Sequence, residues 1–421
     1  MSHPIRPKVV ITGIGVVSPN GIGRDAYATA LREGRSGISA LAGMDTTGLR
    51  SSVGGQVRDF DPTSVMDASE LRRVPRMVPL ALCAAREAME QSGLTRWIES
   101  GEDVIDRQRQ VGVALGTGGG GLAFVEEQYR LHFTQHTASL YSIVAGTHGN
   151  LSSELSIALG LRGPSHVLST GCTSSTDALG YAAMLVRSGT VPAMLVGGAD
   201  APISRCILIA FEKMRVISTR RWDDPAHASR PFSLDRDGFV LGEGAWMFVV
   251  EDADHAAARG ARALVELAGY GSTCDAYHRV QIAPDVVEPA RAIELALADA
   301  RASKEQIGYV NLHGTGTELN DRLETAAVRK CFGSFADHIP MSSTKSMIGH
   351  PQGACGAAGV AATILGMQEG LFHPTINLNT PDPACDLDYI PRTARPLRAD
   401  VALCNCIAFG SKNSALVLRR A

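Results

Sequence analysis

The sequence predicts an α/β protein built from two halves with the same order of elements. Short apolar runs rich in Val, Ile and Leu alternate with segments at helical spacing. Glycine is abundant, 44 in 421 residues, which suits helices packed closely on strands. After about Gly260 the order of elements begins again, although identity between the halves is negligible. The length allows two units that each bury a core, placed at residues 1–260 and 261–421 with their strand ends facing each other.

Composition excludes several classes. With 45% hydrophobic and 20% charged residues the chain is neither disordered nor fibrous. A net charge of −3 gives no general attraction to nucleic acid or to acidic membranes, so a basic patch must be local. Nine cysteines, an odd number without a CxxC pair, argue against a disulfide framework and a zinc ribbon and fit a reducing compartment. The start, MSHPIRPKVVITGIG, lacks the apolar core of a signal peptide, and no apolar run approaches the roughly 20 residues that span a bilayer. A soluble, cytoplasmic protein is expected.

In chain order, Val9 to Val17 reads as a buried strand and Asp25 to Arg32 as a helix. Gly13 and Gly15 lack the rest of a dinucleotide fingerprint. A long helical pattern covers Ala68 to Gln91, with Arg72, Arg73 and Arg76 near its start. Val111 to Leu115 is a second buried strand, and the run Gly118 to Gly121 after it lacks the Lys of a P-loop and reads as a close-packed loop. Ala193 to Val196 is a short strand ended by GGAD, and Trp246 to Val250 another. The second half repeats the series: a strand at Ala263 to Tyr270, a helix at Glu288 to Ala302, a strand at Tyr309 to Leu312, Ile339 to Ser343, a helix at Gly356 to Glu369, and a closing hairpin of Val401 to Ile407 with Ala415 to Leu418.

The chemistry centres on VLSTGCTSSTDALGYAAML, Val167 to Leu185. Val167 and Leu168 end a strand, Gly171 permits a sharp corner, and Ala178, Tyr181, Ala182 and Leu185 recur at helical spacing. Cys172 therefore sits where a helix begins at about Thr173, and the helix's positive end is expected to favour thiolate and offer N–H donors to an oxyanion. His313 in NLHGTGT and His350 in STKSMIGHPQGA each lie in a Gly-rich loop after an apolar strand, so packed halves bring them to Cys172. A zinc site from these three is disfavoured because no ligands lie close in sequence. A Cys-His hydrolase leaves one histidine and Lys345 without a role. Two neutral imidazoles beside a cysteine thioester suit stabilisation of an enolate oxygen.

The cysteine stretch, ASRPFSLDRDGFVLGEGA, HGTGTELND, STKSMIGHPQGACGAAG and CIAFGSKNSALVL together resemble the beta-ketoacyl-acyl carrier protein synthases over essentially the whole chain. DAPIS, AYH at Ala276 to His278 and TPDPACDLDYIP make it most similar to the ketosynthase alpha subunits of bacterial type II polyketide synthases. The resemblance implies the thiolase-like fold, a duplicated αβαβα five-layer architecture. It implies that Cys172 takes the acyl chain, that the main-chain N–H groups of Cys172 and Phe409 form the oxyanion hole, and that His313 and His350 promote decarboxylation of malonyl-carrier protein with Lys345 supporting His313. Thr315 and Thr317 match positions that bind the pantetheine arm, Phe409 the gating aromatic, Phe211 a residue lining the acyl pocket, and Arg72, Arg73 and Arg215 the docking site of the acidic carrier. No cofactor is implied beyond the phosphopantetheine of acyl carrier protein. The partners implied are that carrier and a homologous chain-length factor, or a second copy as in fatty-acid elongation. A chain-length factor itself lacks the cysteine, and a degradative thiolase would use a second cysteine near Cys404 or Cys406. Two positions depart from the family: Gly359 stands where a glutamate usually pairs with the lysine, leaving Glu324 as the expected counter-charge, and AFGSKN replaces the usual gating loop at Ser411 and Lys412.

Overall fold

The structure is a computed structural model describing residues 7–421; residues 1–6, part of the N-terminal stretch considered above, lie outside the described residues. Its first-half strands are β1 (Val9–Ser18), β2 (Val111–Gly116), β3 (Ser165–Leu168), β4 (Ala193–Asp200) and β5 (Gly244–Asp252). Those of the second half are β6 (Val265–Cys274), β7 (Ile307–Asn311), β8 (Met341–Ser342), β9 (Val401–Ala408) and β10 (Lys412–Arg420). Together they form one sheet in the order β8-β7-β9-β10-β6-β1-β5-β4-β2-β3.

The pairing repeats. From β1 outward the pairs β1–β5 and β5–β4 are antiparallel, and β4–β2 and β2–β3 are parallel. From β6 outward, β6–β10 and β10–β9 are antiparallel, and β9–β7 and β7–β8 are parallel. Among the described residues the strands of the two series pair where Val10 and Ile11 oppose Glu266 and Val265.

Helices α1 (Met77–Ser92), α2 (Ser174–Arg187), α3 (Glu318–Phe332) and α4 (Cys355–Glu369) set the layers. Helices α2 and α4 pack on each other and on strands of both series, forming a central layer, and α4 is buried along nearly its whole length. On the outer faces α1 lies against β1 and β5, and helix Val287–Ala300 against β6 and β10. The glycine pair of β1 serves that packing: a Cβ on Gly13 or Gly15 would stand 2.1 Å or 1.8 Å from the carbonyl oxygens of Ala88 and Ala84. Among the described residues no helix is long and apolar enough to cross a membrane.

Two predicted elements need correction. The helix expected over Ala68 to Gln91 is two pieces, Ala68–Leu71 and Met77–Ser92, because Pro75 lacks an N–H and forces Val74 out of helical backbone. The strand expected to stop at GGAD instead runs through it to Asp200, since Gly197 and Gly198 still pair with β2 and β5 on either side.

Candidate active site

Cys172 sits in a short 3₁₀ turn, Gly171–Thr173, that feeds directly into α2, and Gly171 at φ 75° makes the corner that follows β3. Ser174 fixes it: its hydroxyl donates to the Gly171 carbonyl and accepts from the Thr170 N–H, at 2.6 and 2.9 Å. At this corner burial opposes the preference for thiolate expected of a helix start. Burial pushes the Cys172 thiol well above its ordinary value and nearby Cys355 adds to that, outweighing Lys345 and the main-chain N–H of Phe409 that faces the sulfur.

His313 follows β7 in a loop pinned from beneath by two buried carboxylates. The N–H groups of His313 and Gly314 donate to Glu324 at 2.7 Å each, as does the Asn405 amide, and those of Thr315 and Gly316 donate to Asp321 at 3.0 and 3.2 Å. Burial nevertheless pushes the Glu324 carboxyl up to about 7. Glu324 is thus an anchor for the His313 main chain, and the pairing with Lys345 expected from sequence is absent because its oxygens are taken by these three donors.

Lys345 instead donates to the carbonyl of His313 at 2.6 Å and approaches its Nδ1 at 3.3 Å. With Nδ1 accepting, the ring's proton belongs on Nε2. Burial, then the Lys345 ammonium, holds His313 down at about 3, and burial also lowers His350, so both imidazoles are neutral at physiological pH. Their rings meet edge to face at 5.4 Å, and Phe239 packs in the same manner on His350 at 5.2 Å. His350 is held by its main chain, N–H to the Val240 carbonyl at 2.7 Å, while its buried Nδ1 has no hydrogen-bond partner.

The place of the usual glutamate is filled. A Cβ on Gly359 would stand 2.4 Å from Oδ1 of Asn311, whose amide donates to Thr344, Tyr309 and His373 at 3.1 to 3.3 Å. A longer side chain on that face of α4 requires the Asn311 amide to move.

Sulfur and imidazole nitrogens of Cys172, His313 and His350 all lie within 4.8 Å of one another. They floor a cavity of about 290 Å³ that Thr315, Thr317, Phe239, Phe409 and Arg215 also line. The two threonine hydroxyls are 2.9 Å apart. Lys345 and Glu324 stand behind this surface, and Phe211 lies one ring removed, edge-on to Phe239 at 5.1 Å. Phe239, which sequence reading missed, occupies the lining expected of Phe211; its signal was only its place in DRDGFVLGEG. Arg72 and Arg73 are exposed away from the cavity, the latter paired with Glu70 and lying 5.3 Å over the Tyr141 ring. The gating turn is tied down: Gly410 N–H donates to the Arg279 carbonyl at 2.9 Å and the Ser411 hydroxyl to that of His278 at 2.9 Å. The Gly118 to Gly121 loop packs closely as expected, its Gly118 and Gly119 N–H groups donating to buried Asp200 at 2.8 and 3.0 Å.

Two family models match the chain: the N-terminal domain of beta-ketoacyl synthases over residues 6–256 and the C-terminal domain over residues 264–379. A curated relative from Synechocystis sp., 3-oxoacyl-acyl-carrier-protein synthase 2, is 39% identical over 100% of both chains. Putative polyketide beta-ketoacyl synthase 1 of Streptomyces cyaneus is 41% identical over 98% of this chain and 97% of its own. The solved ishigamide ketosynthase/chain length factor superposes with a TM-score of 0.89 at 34% identity, over 99% of this chain and 100% of that one. The fold is the thiolase-like, five-layered α/β fold.

Proposed function

That this chain belongs to the beta-ketoacyl synthase family, as an acyl-transferring condensing enzyme, is the premise from which we propose its reaction: decarboxylative Claisen condensation in type II polyketide biosynthesis. The observation that carries the reading is the meeting of Cys172 with two neutral histidines at the floor of one cavity. Cys172 attacks the thioester of an acyl carrier protein. Because burial keeps it a thiol, its proton passes through a neutral imidazole to the departing pantetheine sulfur. The Phe409 N–H stabilises the oxyanion. Malonyl thioester then loses CO₂ while His313, through Nε2–H, and His350 hold the enolate oxygen. The enolate carbon attacks the Cys172 thioester, the new C–C bond forms, and the C–S bond breaks, Cys172 leaving as a thiolate that takes a proton from solvent through a neighbouring imidazole. Thr315 and Thr317 hold the pantetheine arm, and Arg215 meets the acidic carrier with Arg72 and Arg73. The halves 1–260 and 261–421 are the two units, and the reaction belongs to the cytoplasm.

The partner is a homologous chain, as in the ishigamide ketosynthase/chain length factor. Among the described residues β3 pairs on one side only, and the neighbouring helices and the turn between them leave Leu140, Ile143, Ile157 and Phe133 at least 76% exposed. Such an unpaired edge beside an apolar patch favours an interface with a like fold. Intact mass after incubation with acyl-carrier and malonyl-carrier protein tests the whole reading. Cys172→Ala is expected to take up no acyl group while remaining folded, and retained acylation defeats the assignment. Elongation by the chain alone identifies a homodimeric fatty-acid-type enzyme instead.

A further inference from the structure

Three cysteines, not one, gather around His313. Cys355 opens α4 and Cys406 lies on β9; both are buried, and their sulfurs are 3.7 Å apart. Cys406 Sγ is 3.4 Å and Cys355 Sγ 4.0 Å from Nδ1 of His313. Both sulfurs also face the main-chain carbonyl oxygen of Cys172, at 3.1 and 3.2 Å. The condensation mechanism uses neither thiol.

We propose that Cys355, Cys406 and Nδ1 of His313 bind a zinc ion, with the carbonyl oxygen of Cys172 as the fourth ligand, clamping the nucleophile's corner to the histidine loop from behind the reacting face. The distances carry the proposal. Tetrahedral zinc with Zn–S of about 2.3 Å and Zn–N of about 2.0 Å requires S···S edges of about 3.8 Å and S···N edges of about 3.5 Å. The observed edges of 3.7, 3.4 and 4.0 Å meet that requirement within about 0.5 Å, and the S···O edges to the Cys172 carbonyl, 3.1 and 3.2 Å, must lengthen by about 0.4–0.5 Å to the roughly 3.6 Å that ligation requires. Two sulfurs and an imidazole nitrogen select a borderline-soft ion over magnesium or calcium, which take oxygen.

Binding balances in charge and atoms. The two thiols release their protons to solvent, and the two thiolates offset the charge of Zn²⁺. Lys345 yields its contact with Nδ1 and keeps its 2.6 Å bond to the His313 carbonyl. An ion on Nδ1 leaves the proton on Nε2, the same tautomer that Lys345 enforces without it. The site ties together the Cys172 corner, the His313 loop and α4, which belong to both halves of the chain. The cluster formed by Cys172, His313 and His350 on the cavity side is separate in sulfur ligands and shares only the His313 ring.

The test does not depend on the condensation reading. The full chain, reduced and stripped with chelator, is titrated without oxygen with Co²⁺ as a spectroscopic probe. The expected result is one equivalent bound, a thiolate-to-cobalt charge-transfer band with tetrahedral d–d bands, and displacement by Zn²⁺. Cys172→Ala keeps these bands, whereas Cys355→Ser and Cys406→Ser each weaken the charge-transfer band or abolish binding. Absence of the charge-transfer band, its survival unchanged in both serine variants, or its loss in Cys172→Ala overturns the proposal. If the serine variants do not fold, Cys172→Ala decides the matter alone: its melting temperature rises with Zn²⁺ if the site exists, and no rise overturns it.

Discussion

The loop after β2 and the loop after β7 occupy equivalent places in the two pairing series, and both are glycine-rich. Each is pinned by a buried carboxylate that accepts from successive main-chain N–H groups: Asp200 from Gly118 and Gly119, Glu324 from His313 and Gly314. Burial raises both carboxyls, Asp200 to about 6 and Glu324 to about 7, so each half invests in holding its loop still. The difference is in what the loops carry. The first presents glycines, packed within a residue's thickness of Gly353, and the second presents His313, Thr315 and Thr317 to the cavity. The duplicated scaffold supplies rigidity twice, but of these two loops only the second carries side chains of the proposed chemistry, the first half contributing Cys172 from a different corner.

The sharpest way to break this comparison is to remove the side chain that distinguishes the loops. His313→Ala should lower the rate of malonyl decarboxylation about 10²- to 10⁴-fold, the usual span for a group that exchanges or donates a proton in the transition state. Thr117→Ala, its counterpart after β2, should leave that rate within a few-fold, because the Thr117 hydroxyl bonds Asp200, Gly120 and the Met77 sulfur and does not line the cavity. Measured ¹⁴CO₂ release from labelled malonyl-carrier protein decides; comparable losses from both would mean that the first loop is also chemical.

Acid separates the halves next. His313 and His373, both of the second series, are buried neutral at about 3 and about 4, chiefly by burial. A folded-state value below the unfolded 6.5 means the unfolded chain binds more protons, so stability present above pH 6.5 is lost as pH falls toward the folded value. Between pH 7 and 5 each of these two costs about 2 kcal/mol. Urea midpoints should therefore fall steeply over that window, and His373→Gln should be less stable at pH 7 yet lose about 2 kcal/mol less on acidification. An unchanged acid slope would show that His373 is not buried neutral.

Third in size is the pair of carboxylates. Glu324→Gln and Asp200→Asn each turn one acceptor oxygen toward main-chain N–H donors as an amide, costing about 1–3 kcal/mol of stability. Only Glu324→Gln should also slow condensation per folded molecule, by about 10-fold or more, because only it releases a catalytic ring. Equal activity of Glu324→Gln and wild type would show that Lys345 alone positions His313.

Much of this was legible in the sequence because it rests on local rules. Gly171 before Cys172 with the helical spacing after it, and the apolar run before His313, place these residues at the ends of strands without any knowledge of the partner elements. The helix across Pro75 broke a local rule that the sequence already showed, whereas the errors at the site required knowing what stands across a gap. Glu324 has the right charge and neighbourhood to pair with Lys345, but three donors from β7, its loop and Asn405 on β9 claim it. The start of α2 favours thiolate at Cys172, but packing against α4 and β9, elements more than 180 residues away, buries the sulfur and pushes the thiol up. Cys355 and Cys406, 51 positions apart, lack the spacing of a paired ligand motif, and only the fold puts their sulfurs in contact.

The smallest expected effect tests the two central helices against each other. Each has a glycine backed by a side chain of the second series: a Cβ on Gly180 of α2 would meet the Tyr270 ring at 2.4 Å, and one on Gly359 of α4 would meet Asn311 Oδ1 at 2.4 Å. The ring is rigid and its hydroxyl is committed to Asp177 at 2.8 Å, whereas Asn311 belongs to a network of hydroxyls and His373 that can rotate. Gly180→Ala should therefore cost about 2–3 kcal/mol, and Gly359→Ala about 1 kcal/mol, both read from urea midpoints. Asn311 also donates to Thr344, the residue before Lys345, so Gly359→Ala should slow decarboxylation a few-fold while acylation of Cys172 stays unchanged. If Gly359→Ala instead matches wild type in stability and rate, the space left by the family's glutamate is open, and Asn311 is not what keeps a longer side chain out.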